Sequence, residues 1–335
     1  MSSSAFSRFA LSISIAAAML AGCGGPEPPA GAPGAMPLAA KVSPGSTSPP
    51  YLYVTNTATA EYPVNIFLRD HPFKGIVHHL GRVLAPSGIF IDSQGIIYVT
   101  TAWGSGDNSV WAYKRGAPKP FRIYSGADCA FDVVAASDGT VYIADACGLS
   151  DYSKGDVAVY PPGQTKPSRL IHPGGSPYAL ALDSHDNLYV GYNYLRTYWG
   201  QVKRYRPGAR HGDELLPEHS AFFITGVGID KHGALLVANS GAIHVFTAKG
   251  QPPSRVIHTG QSHVDTFAFD RLGNTIYVTS GCTSGSLAIP LTSSGCGKRA
   301  NTVVALDYAT GKRLWTLSEP DWVPVGVAVW PSAQF

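Results

Sequence analysis

The sequence predicts an all-β fold: a six-bladed β-propeller of four-stranded antiparallel blades, its first blade closed by the C-terminal strand. Three observations carry that reading. A short hairpin pattern is written six times along the chain. A polar corner such as Asp92-Ser-Gln-Gly95 or Asp230-Lys-His-Gly233 turns the hairpin. The first copy lacks its leading strand, and a strand of the missing pattern stands at the other end of the chain.

The hairpin's second strand aligns on one residue, at Tyr53, Tyr98, Tyr142, Tyr189, Leu236 and Tyr277. The segments are YLYVTN, IIYVTT, TVYIAD, NLYVGY, LLVAN and TIYVTS, and the spacings run from 41 to 47 residues. A period of that size marks an array or a propeller. Strands recurring at roughly ten-residue intervals favour the propeller. Each unit opens on an inner strand: GIFID, VVAAS, LALDS, GVGID or TFAFD. After the aligned strand comes a third: VNIFLR, SVWAYK, VAVYP, QVKRYR, AIHVF or TVVALDY. Corners such as Arg115-Gly-Ala-Pro and Ala309-Thr-Gly-Lys312 lead to an outer strand such as PFRIYSG, SRLIHPG or SRVIHTG.

The inner strands alternate small and large residues, as in Ala179-Leu180-Ala181-Leu182 and Gly226-Val227-Gly228-Ile229. Successive side chains on a strand point to opposite faces, so small residues let neighbouring inner strands crowd around a central axis. Phe90 breaks the pattern and is expected to fill space in the channel. The first unit begins at Tyr51 with its second strand. Pro324-Val-Gly-Val-Ala-Val-Trp330 has the inner-strand pattern and would complete that blade.

The strand endings LYV-(A/T)-(N/D) and the D-x-x-G corners resemble NHL-type six-bladed β-propellers over residues 51–335. The resemblance implies the fold and no single activity. Its relatives include lactonases, lyases, strictosidine-synthase-like enzymes and interaction domains. The lactonase relatives carry an acidic residue on an early inner strand, and the strand from Val325 to Trp330 has none.

The first residues, MSSSAFSRFALSISIAAAMLAGCGG, place one Arg before an apolar run and small residues after it. That order is a secretory signal's, and the run is shorter than the ~20 residues a spanning helix needs. Leu20-Ala21-Gly22-Cys23 resembles the lipobox of bacterial lipoproteins. The resemblance implies residues 1–22 as signal peptide and Cys23 as the lipidated residue. Gly24, standing where Asp would retain the chain, implies outer-membrane sorting. Residues 23–50 are rich in Pro and Gly with almost no bulky apolar side chains. Such a stretch cannot bury enough surface to offset its ordering entropy, and reads as a tether. The expected location is exported and lipid-anchored, with membrane contact through the lipid alone.

Formal charge is +3 and charged residues make up 14% of the chain. That balance gives no basic surface for nucleic acid. The one basic run, Lys203-Arg204-Tyr205-Arg206, reads as a solvated strand. Past Cys23 the cysteines are Cys129, Cys147, Cys282 and Cys296. An even count in an exported chain suggests disulfides, with three connectivities open. Cys129 and Cys147 flank the third blade's inner hairpin almost symmetrically, which favours their pairing and leaves Cys282 with Cys296.

No catalytic motif stands out. Three residues past each aligned position come Asn56, Thr101, Asp145, Tyr192, Asn239 and Ser280. A ring of oxygen ligands could hold a hard cation such as Ca²⁺ at the channel mouth; Asn and Asp at strand ends more commonly bond their own turns. The His residues show no metal-ligand spacing, and only His263 falls just before an inner strand. Gly295-Cys-Gly-Lys298 lacks the rest of a phosphate loop. Aromatic residues crowd the loop YNYLRTYWG: Tyr192, Tyr194, Tyr198 and Trp199. Trp103 and Trp322 fall in other rim loops. With Asp145 and Asn239 they form the candidate ligand-binding set, since flat rings stack on sugars or anchor protein partners. The expected role is a monomeric binding or scaffolding module in the cell envelope, holding a protein, glycan or small molecule on its rim. The alternative is a metal-assisted hydrolase or lyase using the same rim.

Overall fold

The computed structural model describes residues 49–335 apart from 59–62, 82, 102–108, 148–154, 195, 218, 240, 282–300, 320–321 and 334. Six antiparallel sheets follow one another around an axis. The first blade takes Pro324–Trp330 as its inner strand, then Tyr51–Asn56, Val64–Leu68 and Ile76–His79. Leu52 pairs with Val329 and Val54 with Val327, so the two ends of the propeller close one sheet. The inner strands of blades two to six are Pro86–Ile91, Ala130–Ala135, Ser176–Leu182, Gly226–Ile229 and Phe267–Phe269. Their aligned strands are Ile96–Thr101, Val141–Asp145, Leu188–Asn193, Leu235–Asn239 and Thr275–Ser280.

The fourth blade departs from four strands. Its third strand, Trp199–Tyr205, pairs with two short outer pieces, Asp213–Glu214 and Ala221–Phe222. The basic run begins on that strand, and two of its cations are matched in charge. Lys203 reaches Glu214 at 3.6 Å and Arg204 reaches Asp213 at 3.3 Å.

The repeated Tyr has a partner in the corner beside it. Asp92 Oδ1 accepts the N–H groups of Gln94 and Ile96, and Tyr98 donates to its other oxygen at 3.3 Å. Asp183 accepts from His185, Asn187 and the Tyr189 hydroxyl in the same way. In blade five Leu236 replaces Tyr, and Tyr308 from blade six reaches Asp230 instead, at 2.7 Å. In three corners a phenol thus reaches the Asp, and in blade five it comes from the neighbouring blade.

The core lies between blades. One layer packs Tyr98, Val110 and Ala112 against Ala130, Val133 and Ile143. Close approach explains two of the glycines: a Cβ at Gly228 would sit 2.6 Å from the Phe267 ring, and one at Gly88 2.6 Å from Phe131 O. The inner strands enclose a channel of about 160 Å³. Phe90 lines it, as expected of the large residue that breaks the alternation, and Phe335 packs against Phe269 at its lower end.

Candidate functional site

Each inner strand begins at the upper mouth of the channel, beside the loops that follow the aligned strands. In four blades the strand enters through a register irregularity. That kink aims the first residues of each strand inward. The six residues at the level just inside are Gly326, Gly88, Asp132, Ala179, Gly226 and Thr266, read from the pairing of the residue that follows each. Five are small and one is a carboxylate. Asp132 Oδ1 accepts Val133 N–H, and Oδ2 accepts Leu180 N–H of the next blade at 2.8 Å.

The opposite wall carries a second carboxylate, because blades three and six lie three steps apart in a six-membered ring. Asp265 lines the same mouth as Asp132. It accepts Gly281 N–H at 2.5 Å and stands 3.4 Å from His263 Nε2. His263 Nε2 also lies 2.6 Å from Gly281 O, and Ser262 Oγ lies 3.3 Å from Nδ1.

Burial sets the electrostatics here, since a charge loses hydration when protein surrounds it. Asp132 keeps a solvent-accessible edge in the channel but is deep within it, and its pKa is pushed up to about 7. Burial also raises Asp265, with the neighbouring His263 pulling the other way. For His263 burial disfavours the cation, but Asp265 and Gly281 O outweigh it and raise its pKa.

From this mouth an unbroken run of aromatic rings leads to the surface. Phe131 and Tyr178 both line the mouth and lie 4.7 Å apart. Tyr178 meets Phe223 at 5.2 Å, Phe223 meets Tyr198 at 6.2 Å, and Tyr198 meets Phe222 at 6.1 Å. Phe222 then stands edge-on to Trp199 at 6.0 Å, and is 44% exposed. Tyr198, His219 and Phe223 have φ of +60°, +55° and +46°. The left-handed region is uncommon for bulky residues, and such strain gathers at functional sites.

The candidate ligand residues therefore divide. Tyr198 and Trp199 stand in the aromatic run, half-buried. Tyr194 is 42% exposed, edge-on to Tyr192. Tyr192 itself is fully buried, with Lys203 Nζ 5.3 Å from its ring centre. Trp322 is 2% exposed and packs on Phe67, so the rim expectation is corrected for both: they are interior side chains. Asn239 is buried as well. Asp145 accepts the N–H groups of Asp128, Cys129 and Cys147, tying a knot that the Cys129–Cys147 disulfide also fastens. Cys23, Trp103, Cys282 and Cys296 lie outside the described residues, as does the proposed signal and most of the tether.

Three of the strand-end oxygens are taken by backbone groups. Asn56 Oδ1 accepts from Ala58 and Val323, Thr101 exchanges hydrogen bonds with Ser109, and Asp145 is taken as above. Among the described residues no three His, Cys, Asp or Glu side chains come together as a metal-holding group. The sequence reading missed Asp132 and Asp265. The signal for Asp132 was available: an acid in an inner strand at a level where every other copy is small.

Compared with protein-family models and with curated proteins, the chain matches none. Solved structures do match. A propeller from a nidogen/laminin complex aligns with a TM-score of 0.62 at 15% identity, over 84% of this chain and 98% of that one. A protein of unknown function from Bacteroides caccae aligns with a TM-score of 0.61 at 14% identity, over 84% and 99%. At these identities the likeness shows the propeller fold.

Proposed function

We propose that this chain is an exported, lipid-anchored propeller that binds a carbohydrate chain across its upper face. The observation that carries the reading is the set of exposed and half-buried rings Phe222, Trp199, Tyr198, Tyr178 and Phe131, joined through the buried Phe223 and ending beside two carboxylates. Aromatic faces stack on the apolar faces of sugar rings. Asp132 and Asp265 offer oxygen acceptors for hydroxyl groups where the run ends, and a ligand polar at its edges and apolar on its faces fits both. The mouth cavity is about 60 Å³. The NHL-like repeats and the nidogen/laminin neighbour support a binding propeller in general terms. Anchoring at Cys23, with residues 24–50 as tether, would hold that face away from an outer membrane. Among the described residues no helix is long and apolar enough to cross one.

Titration of an oligosaccharide panel into the disulfide-intact protein tests the reading. Tyr198→Ala and Phe222→Ala should each weaken the bound sugar several-fold to about tenfold, the scale of the roughly 0.5–1.5 kcal/mol of an aromatic stacking contact. No sugar bound, with a protein partner captured and lost in Phe222→Ala, would replace the glycan by a protein. For the anchor, Cys23→Ser should move the chain from the membrane fraction to the soluble one.

One observation favours a second reading, a hydrolase or lyase at the same mouth. Asp132, raised to about 7, can hold a proton near neutral pH and give it to a leaving group. Turnover of a bound sugar that Asp132→Asn abolishes without weakening binding would establish it.

A further inference from the structure

The mouth holds acid without base. Asp132 and Asp265 line it, and among the described residues no Lys, Arg or His does. Neither acid is a surface group. The Asp265 side chain is 9% exposed. Asp132 lies deep in the channel, its two oxygens on the N–H groups of Val133 and Leu180. Burying a carboxylate costs stability unless a cation or enough donors stand by it.

The two acids are not equally served. His263 stands behind Asp265, beside Oδ2, the oxygen that also accepts Gly281 N–H. The other oxygen, Oδ1, has no hydrogen-bond partner among the described residues and is not sealed off from solvent. In a side chain so nearly buried, the space left open to it is the mouth. Asp132 has no cation beside it: apart from its two N–H donors, only burial acts on its charge. Phe131 and Tyr178 line the same cavity, half-buried, with ring centres 4.7 Å apart. Ring faces attract ammonium groups, and carboxylates in a water-poor site do so more strongly. A neutral hydroxyl needs no buried acid. A hard metal ion takes about six or more oxygen ligands and gains nothing from the rings.

We propose that the sugar seated at this mouth carries a free amino group, its ammonium held by Asp132 and the open oxygen of Asp265 beside the Phe131 and Tyr178 rings. The proposal rests on the carbohydrate reading above and names the class of sugar, an amino sugar without its N-acetyl group.

The probes are three β-1,4-linked tetrasaccharides that differ at C2: the glucosamine tetramer with an amine, the N-acetylglucosamine tetramer with an amide, and cellotetraose with a hydroxyl. Each is titrated calorimetrically at neutral pH into the whole disulfide-intact protein. The glucosamine tetramer should bind at least about tenfold more tightly than either of the others. The chain's formal charge is +3, so general attraction for a polycation does not produce that preference. The readout is the ratio of affinities, which a uniform loss of binding leaves unchanged. Asp132→Asn keeps an oxygen for Leu180 N–H and should cut the ratio several-fold. Asp132→Asn/Asp265→Asn should bring it to one. Tyr198→Ala should weaken all three sugars and keep the ratio. Thermal melts confirm that each variant is folded, and if the double variant is not, Asp132→Asn decides alone. EDTA should change nothing; a preference lost in EDTA would give the acids to a metal ion and overturn the proposal. Equal binding of the three, weakened by Tyr198→Ala, would overturn the amine and keep the carbohydrate. A ratio unchanged in Asp132→Asn would also overturn the amine. No tetramer bound at millimolar concentration would overturn both readings.

Discussion

The two halves of the ring are fastened by different chemistry. Where blades six, one, two and three meet, the residue two beyond the aligned Tyr is Thr279, Thr55 or Thr100. Each hydroxyl accepts an inner-strand N–H of its own blade, from Thr266, Gly326 or Gly88. Each donates to a carbonyl of the next blade: Val325 O at 2.7 Å, Ser87 O at 2.7 Å and Phe131 O at 3.2 Å. In the other half the same position holds Ala144, Gly191 and Ala238. There the junctions are made by Asp132 to Leu180 N, by Asn193 to both backbone groups of Ile224, and by Thr225 to Val264 O. At the mouth the threonine half contributes Ser87, Gly88, Val325, Gly326, Asp265 and Thr266. The irregular half carries Asp132 and the aromatic run, with Asp265 at its border. Asp132 and the aromatic run lie where the repeat's threonine fastening is absent, and Asp132 itself ties blade three to Leu180 of the next blade.

The comparison breaks most severely at the disulfide. Cys129 and Cys147 stand 18 residues apart in the irregular half. Closing a loop of that length is worth about 3 kcal/mol. The double variant Cys129→Ala/Cys147→Ala should lose that much in denaturant unfolding, and reduction of the native protein should lose as much. A loss near zero would mean that Asp145, which collects three backbone N–H groups at the same knot, is sufficient to hold it.

Next in size are the threonines. Thr100→Val keeps the shape and strands Gly88 N–H and Phe131 O, so a loss of about 2 kcal/mol is expected. The reverse exchange does not transfer the fastening. A Cβ at Gly191 would lie 2.8 Å from Val227 Cγ1 and 2.9 Å from Ile224 Cγ2, so Gly191→Thr should destabilise rather than add a bridge. A stable Gly191→Thr would show that the irregular half can adopt the regular solution.

Much of the fold was legible because the repeat is local. A corner Asp, a phenol six residues later and a small-large inner strand recur within some forty residues, and the surplus strand Pro324–Trp330 could be matched to a missing one by count. The site was less legible because it depends on contacts between copies. Asp132 stands out only when the six inner strands are aligned at one level, with Gly326, Gly88, Ala179, Gly226 and Thr266 beside it. Trp322 and Tyr192 look like rim aromatics in sequence, yet both are buried. Phe222 and Phe223 gave no motif, because their role comes from the split outer edge of blade four.

The smallest expected effect is the most specific to Asp132. Its folded pKa is about 7, well above the ordinary carboxylate range. Between pH 6 and 8 the unfolded chain has already lost this proton, while the native state gives it up gradually. The native state therefore binds more protons in that window, and stability falls as pH rises through it. For a group titrating at about 7 the fall across those two units is about 1.4 kcal/mol. Asp132→Asn cannot titrate but keeps an oxygen for Leu180 N–H. Unfolding free energies of both proteins, measured at pH 6 and pH 8, should differ in slope by that amount, with the wild type losing more. Parallel slopes would mean that Asp132 is ionised throughout, held by its two backbone N–H donors. It would then be a fastening of the irregular half and no proton donor at the mouth.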